Sequence, residues 1–201
     1  MAPAYADIED GFKAYENRKY QTAYYVLLPF ANKGNAKAQH VVGRMLWYGN
    51  GVKKNEIKAV EYLLKSAKQG YVRAQLQLGY IYEFKISNAK LMGTKLAFEG
   101  ASQPLDPKVG IKWLLAAARQ GNMQAYGALS GAYCHGIGVV EDHRIAYGWL
   151  ALSLGKHATN PDVWRGFSCG FDFEPTRGFV LMALQTAKEL RRKYGLPGNG
   201  I

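Results

Sequence analysis

The sequence predicts an all-α fold in which antiparallel helix pairs stack into an open solenoid. Gly34 and Gly70 begin two matching segments that lie 36 residues apart, and Gly121 begins a third segment after an insertion. A period of this length is typical of supersecondary units that bury their apolar faces only by stacking on neighbours. Such an array exposes an extended surface, which favours a binding function.

The first unit shows why each segment is a helix pair. Apolar side chains recur three and four positions apart over residues 36–48, as they do on one face of a helix. Gly43 lies on that face and leaves room for a second helix to cross. Gly49 and Gly51 then supply the positive φ angles that end a helix and turn the chain.

A second helix is predicted directly after each turn. Good N-cap residues occupy one repeat position, and Pro107 follows its cap where a helix best tolerates proline; these caps are Asn55, Asp106 and Asp142. The predicted pairs are 36–48 with 55–69, 72–84 with 106–120, and 123–135 with 142–155.

The two ends of the chain are predicted to cap the array. Residues 5–33 hold a shorter helix pair that lacks the Gly-x-Gly turn. Residues 177–194 form a long amphipathic helix ended by Gly195, and an open array needs such a helix to cover its last apolar face. Residues 156–176 combine aromatic residues with Gly and Pro, which indicates an irregular packed connection.

The repeat pattern resembles the Sel1-like repeat, a relative of the tetratricopeptide repeat. The shared skeleton includes an Ala, an apolar-small pair, a large residue, a Gly-x-Gly-Val turn and an aromatic residue on the second helix. The three units fill nearly every position of this skeleton. Their aromatic residues on the second helix are Tyr62, Trp113 and Trp149. The resemblance implies a right-handed α-solenoid of tetratricopeptide-like helix pairs with a C-terminal capping helix.

We therefore expect one domain over residues 1–201. In chain order its parts are 5–33, 34–69, 70–120, 121–156 and 157–195. The second repeat carries an insertion, residues 85–105, in place of its Gly-x-Gly-Val turn. Leu91 and Phe98 within it would be costly to leave in water, so part of the insertion is expected to contact the repeats or a partner.

The chain is strongly basic. It has 26 basic and 15 acidic side chains, a net charge of +11, and most of the excess lies in residues 34–121. One interpretation is that the basic side chains form a solvated surface that keeps the protein soluble. The alternative is that they bind an acidic protein, an acidic envelope glycan or nucleic acid. No basic-aromatic RNA motif accompanies the charge, which disfavours nucleic acid as the partner.

Catalytic and metal-binding patterns are weak. Cys134 and His135 lie near Asp142 and His143, but their spacing matches neither a zinc site nor a thiol protease. The glycines lack the Lys-Ser/Thr of a phosphate loop. We therefore expect no enzyme, no cofactor and no metal. The interpretation is a non-enzymatic protein-interaction scaffold in a bacterial envelope or regulatory assembly, with an anionic-polymer binder as the alternative.

The partner is predicted to bind side chains outside the repeat skeleton. By the tetratricopeptide resemblance, the first helix of each pair lines the concave surface. Trp, Tyr and Arg are frequent binding anchors, and the alternative is that the aromatic residues pack on the neighbouring repeat. The predicted partner-binding residues are His40, Arg44, Trp47, Leu76, Tyr80 and Phe84.

Three features bear on localisation. Ala4-Tyr5-Ala6 has the form of a signal-peptidase site, and many bacterial relatives in the resembled family are exported, so a periplasmic or secreted protein is expected, otherwise a cytoplasmic one. Cys134 and Cys169 can form a disulfide if the protein is exported; the alternative is two buried thiols. Apolar runs are too short for a membrane span.

Overall fold

The computed structural model describes residues 7–92, 106–165, 167, 169 and 176–198, and within α5 it leaves aside the side chains of residues 84 and 86–92. All regular elements of this part of the chain are helical, as predicted. The α-helices are α1 Ile8–Glu16, α2 Tyr20–Asn32, α3 Ala36–Tyr48, α4 Glu56–Lys68, α5 Val72–Met92, α6 Pro107–Arg119, α7 Met123–His135, α8 His143–Leu154 and α9 Arg177–Tyr194. Two short 3-10 helices, Gly155–Thr159 and Pro161–Trp164, follow α8.

The chain divides into two compact units. Of the described residues, 7–78 belong to the first unit, and residues 79–92 together with those from 106 onward belong to the second. In the first unit α1 packs on α2, α2 on α3 and α3 on α4; in the second, α6 packs on α7, α7 on α8 and α8 on α9. The expectation of a single domain stays a prediction.

The predicted N-caps are confirmed. The side-chain oxygens of Asn55 and Asp142 each accept a hydrogen bond at 2.9 Å from the backbone N–H three residues ahead. The side-chain oxygen of Asp106 accepts one at 2.9 Å from the backbone N–H two residues ahead. Asn35 and Asn122, which were not predicted as caps, cap α3 and α7 in the same way at 2.9 Å. Local side-chain chemistry thus fixes where most helices begin.

The predicted glycine turns are also confirmed. Gly49 and Gly51 have φ of 73° and 71°, and Gly136 and Gly138 have φ of 64° and 71°. Gly51 lies so close to the start of α2 that a Cβ there would stand 2.5 Å from the Gln21 nitrogen. A side chain at residue 51 is therefore excluded by its contact with α2 as well as by the positive φ.

Helix α5 differs from its predicted end at residue 84 and continues to Met92. Lys85 occupies the repeat position at which Gly49 ends α3. A lysine disfavours the left-handed conformation, so the stop signal of the first repeat is missing and the helix runs on into the insertion. Residues 93–105 of the insertion lie outside the described residues.

Glycine also permits the two helices of a pair to approach closely. A Cβ on Gly43 would stand 2.9 Å from a Leu63 side-chain carbon and 3.1 Å from the Ala59 carbonyl oxygen. Gly79 lies at the equivalent position of α5 and would place a Cβ inside the Leu114 side chain. Both leucines are buried at these crossings.

The C-terminal part of the chain confirms the predicted capping helix. Helix α9 spans the predicted residues and ends at Gly195, whose φ is 63°. It packs on α8, where Gly148 faces Thr186 of α9. The described part of the connection between α8 and α9 consists mainly of the two 3-10 helices, where an irregular segment was predicted, and the buried Trp164 ring donates its N–H to the Ala158 carbonyl at 2.9 Å.

Gly43→Ala is expected to lower the free energy of unfolding by about 1–3 kcal/mol, because the new methyl group overpacks the crossing of α3 and α4. The matched control is Gly127→Ala in α7, whose Cβ would meet Ser153 Oγ at an ordinary 3.5 Å. The control is expected to be neutral or stabilising, since Ala is the better helix former. Urea denaturation followed by circular dichroism measures both, and equal stabilities would contradict the crossing constraint.

Candidate functional site

The six predicted partner-binding residues fall into different environments. In the first unit His40, Trp47 and Leu76 are buried, and Arg44 is half-buried. In the second unit Tyr80 is 39% exposed, and the Phe84 side chain lies outside the described part. Arg44 and Tyr80 are thus the described side chains of this set that offer accessible surface. Partner binding by the set stays a prediction.

Arg44 belongs to a group of arginine and tyrosine side chains in the first unit. Its guanidinium carbon lies 5.9 Å from the centre of the Tyr48 ring, and that tyrosine is 54% exposed. Arg44 also acts electrostatically on Tyr15, and Arg73 is exposed on α5. We call Tyr15, Arg44, Tyr48 and Arg73 the Arg44 surface. Among the described residues, no acidic side chain pairs with either of its arginines.

His40 lies under this surface. Burial, together with the nearby charges of Arg44 and Arg73, lowers the pKa of His40 from 6.5 to about 4. The His40 ring packs 5.3 Å from the Tyr71 ring. The imidazole is therefore neutral at pH 7 and acts as a packing residue, with two cations held close to it.

A second feature of the first unit is an open groove of about 460 Å³. Its lining includes two tyrosines of α2 and three lysines from the turn before α4 and its first residues. We call it the lysine groove, and its named members are Tyr24, Tyr25, Lys53, Lys54 and Lys58. The lysines belong to the basic excess that the sequence shows in residues 34–121, whereas the tyrosines were missed because they come from the preceding helix pair.

The predicted disulfide is confirmed in the second unit. Cys134 and Cys169 are bonded, with Cα atoms 5.3 Å apart. The thiol and imidazole of Cys134-His135 are therefore not a free pair. Among the residues that the structure describes, no group of three or more His, Cys, Asp or Glu side chains could hold a metal ion.

The disulfide forms part of the wall of a pocket of about 200 Å³. Helix α7 contributes small residues and helix α8 contributes two larger side chains, while Phe167 stands 44% exposed at the connection. We call it the disulfide pocket; its lining is Gly127, Ser130, Gly131, Cys134, Tyr147, Leu150, Phe167 and Cys169. Gly127, Gly131 and Cys134 occupy repeat positions outside the skeleton, the kind of position predicted to bind a partner.

None of the helices in the described part of the chain combines the length and apolar character needed to cross a membrane.

Comparison with known proteins identifies the repeat. The Sel1 repeat model matches residues 36–71, 72–84, 91–122 and 124–153. A Sel1 repeat protein from Oxalobacter formigenes, known from its crystal structure, is 26% identical with a TM-score of 0.60, covering 93% of this chain and 70% of that chain.

Two further proteins are similar. A protective antigen present in uropathogenic Escherichia coli strains, which displays an SLR fold, is 19% identical with a TM-score of 0.58, covering 93% of this chain and 38% of that chain. At this identity the likeness supports the fold alone. An uncharacterized protein of Neisseria meningitidis serogroup B is 25% identical over 127 residues, which is 63% of this chain and 23% of that relative. The chain thus spans less than a quarter of the length of this relative.

We expect the free energy of unfolding to fall as the pH falls from 6.5 to about 4, because unfolded His40 binds a proton near its ordinary pKa of 6.5 whereas folded His40 does so only near 4. The contribution is at most about 3 kcal/mol. Urea denaturation of wild type and His40→Gln at pH 7 and pH 5 tests it, with His157→Gln as the control. An unchanged pH dependence in His40→Gln would contradict the assignment.

Replacing both Cys134 and Cys169 with Ser is expected to lower the free energy of unfolding by about 3 kcal/mol, because the bond closes a loop with a sequence separation of 35 residues. Urea denaturation with and without dithiothreitol measures the loss. Reduction should destabilise wild type to the level of the double variant and leave the variant unchanged. A wild type that is indifferent to dithiothreitol would refute the contribution.

Proposed function

Because the chain belongs to the Sel1 repeat family, we propose that it is a non-enzymatic scaffold that binds a protein partner through the Arg44 surface. Sel1 repeat proteins are generally protein-interaction scaffolds. The observation that carries the proposal is the combination of two arginines without an acidic partner among the described residues and an exposed tyrosine beside one of them.

The chemistry of the Arg44 surface favours an acidic segment of the partner. A guanidinium group binds a carboxylate through two parallel hydrogen bonds, and a tyrosine ring adds contact area at a small entropy cost. Arg44 Nε is buried and lacks a hydrogen-bond partner among the described residues. This nitrogen has no surface for an outside acceptor, so a carboxylate of the partner would bind the part of the Arg44 side chain that stays accessible. Tyr80, in the second unit, is proposed as a further contact.

The proposed location of the scaffold is an oxidising compartment. The bond between Cys134 and Cys169 is of a kind that persists in exported proteins and is rare in the cytosol. The similar proteins described above come from bacteria. We therefore propose a periplasmic or secreted protein that serves a bacterial envelope assembly.

The lysine groove supports a second candidate function. Lys53, Lys54 and Lys58 line an open concavity beside two tyrosines, and Lys54 keeps a 2.9 Å contact with the buried Glu56. A groove of this charge suits an extended anionic polymer such as an acidic envelope glycan, and binding of that kind weakens steeply as salt rises. An acidic protein segment and a polyanion would thus meet different residues of the same unit.

The test compares charge-matched double variants. Arg44→Ala with Arg73→Ala is expected to abolish capture of the partner from the native host, whereas Arg177→Ala with Arg192→Ala, which removes two exposed arginines of α9, should retain it. Cross-linking at physiological salt followed by quantitative mass spectrometry measures capture. Thermal unfolding of each variant verifies that the fold is intact, a check that matters most for Arg44 because that side chain is half-buried.

A third variant separates the two candidate functions. If Lys53→Ala with Lys58→Ala loses capture, or loses salt-sensitive binding of the polyanion heparin, while the Arg44 and Arg73 variant keeps its partner, the lysine groove is the functional surface. Equal capture by the Arg44 and Arg73 variant and wild type would overturn the proposed role of the Arg44 surface.

A further inference from the structure

The turn between α3 and α4 contains an asparagine that is followed directly by a glycine, Asn50 and Gly51. The side-chain amide of an asparagine is lost when the backbone nitrogen of the next residue attacks its carbonyl carbon and closes a five-membered ring. Glycine is the following residue that hinders this ring closure least, because it has no side chain and few restrictions on its backbone angles. The sequence therefore makes the turn a candidate for covalent modification, provided that the structure leaves both reacting groups free.

Both reacting groups are free in the folded chain. Among the described residues, no hydrogen bond uses the Gly51 N–H or the side-chain amide of Asn50. The Asn50 backbone N–H donates to the Met45 carbonyl at 3.0 Å, which holds the main chain and not the side chain. Asn50 is half-buried and Gly51 is exposed, so water reaches the turn.

Other asparagines are held by their side chains. The side-chain oxygens of Asn35, Asn55 and Asn122 each accept a backbone N–H at 2.9 Å, and that of Asn160 accepts one at 3.0 Å. Such a side chain turns toward the nitrogen of the next residue only by giving up its hydrogen bond. Within residues 7–198, moreover, Asn50 is the asparagine that precedes a glycine.

We propose that Asn50 is a site of spontaneous deamidation. The Gly51 nitrogen gives its proton to a base in solution and attacks Asn50 Cγ; the new nitrogen–carbon bond closes a cyclic imide, the bond from Cγ to Nδ2 breaks, and ammonia leaves with a proton from water. A water molecule then opens the imide at either carbonyl carbon and leaves aspartate or isoaspartate at position 50. Overall water is consumed and ammonia is released, with no oxidation or reduction. The new carboxyl group is ionised at neutral pH.

The new carboxylate would lie beside the lysine groove. Gly51 and Val52, which follow Asn50 in the chain, line that groove together with its three lysines. An added negative charge offsets the charge of one lysine and weakens the attraction of the groove for a polyanion. This consequence rests on the second candidate function proposed above, whereas the reaction itself does not.

The isoaspartate product would also disturb the contact between the turn and α2. A Cβ on Gly51 would stand 2.5 Å from the Gln21 nitrogen and from the Tyr20 carbonyl carbon, so residue 51 has no room to move toward α2. Isoaspartate routes the main chain through the former side chain and lengthens it by one carbon atom. The fit of Gly51 against α2 is then lost, and we expect the isoaspartate form to unfold at a lower urea concentration than the fresh protein.

The experiment follows the reaction by mass. Full-length protein is incubated at neutral pH, digested with trypsin and analysed by mass spectrometry with electron-transfer fragmentation, which distinguishes aspartate from isoaspartate. Cleavage after Arg44 and Lys53 releases residues 45–53, in which Asn50 is the sole asparagine. This fragment is expected to convert progressively to both products, and faster at pH 9 than at pH 7 because the attacking nitrogen must lose its proton. The fragment 55–58, which contains the bonded Asn55, is expected to stay unchanged.

Two controls make the result decisive. Asn50→Gln keeps the amide but would need a six-membered ring, so its fragment should stay unconverted. Wild type held in urea shows that the reaction occurs when the turn is unfolded. Conversion in urea without conversion in the folded protein would overturn the site, and so would equal conversion at position 50 in Asn50→Gln.

Heparin binding measures the effect on the lysine groove. For Asn50→Asp and for the converted protein, the dependence of the logarithm of affinity on the logarithm of salt concentration should fall in magnitude by roughly one, whereas Asn50→Gln should bind as wild type does. Converted protein that binds like fresh protein would refute this effect. If fresh protein does not bind heparin, the lysine groove fails as a functional surface, but the mass measurement still decides the deamidation.

Discussion

The close crossing of two helices is the constraint on which each helix pair depends. Gly43 of α3 lies against Leu63 of α4, and Gly79 of α5 lies against Leu114 of α6 at the equivalent repeat position. Each leucine fills the space that the missing side chain leaves, so the two helix backbones approach closely and the leucine side chains are buried. Ser130 takes this position in the third unit, where a small residue again keeps the approach possible.

Most helix boundaries could be predicted because their signals are local. The cap at Asn55 and the left-handed glycine at Gly49 act on neighbouring backbone groups, so the residues on either side are enough to place these boundaries. The end of α5 could not be predicted by analogy with the first repeat. Lys85 replaces the glycine on which that analogy relied, and helix propagation continued to Met92.

The candidate site was harder to predict than the fold. Periodicity identifies the face of α3 that meets its partner helix, but a helix in a stacked array has neighbours on more than one side. His40 and Trp47 lie outside the skeleton positions and are nevertheless buried, whereas Arg44 between them keeps accessible surface. The tyrosines of the lysine groove were missed for a related reason, since α2 and the turn after α3 are distant in sequence.

Charge geometry distinguishes the kinds of partner that the two surfaces of the first unit suit. Arg44 lies beside the exposed Tyr48 ring, whereas Lys53, Lys54 and Lys58 line an open groove. A guanidinium group binds a carboxylate through two parallel hydrogen bonds, so the Arg44 surface suits an acidic group held in a fixed orientation. An ammonium group acts as a point charge, so the lysine groove suits a polyanion in many orientations. The two candidate functions therefore differ in the geometric precision that each surface demands, although both surfaces are cationic.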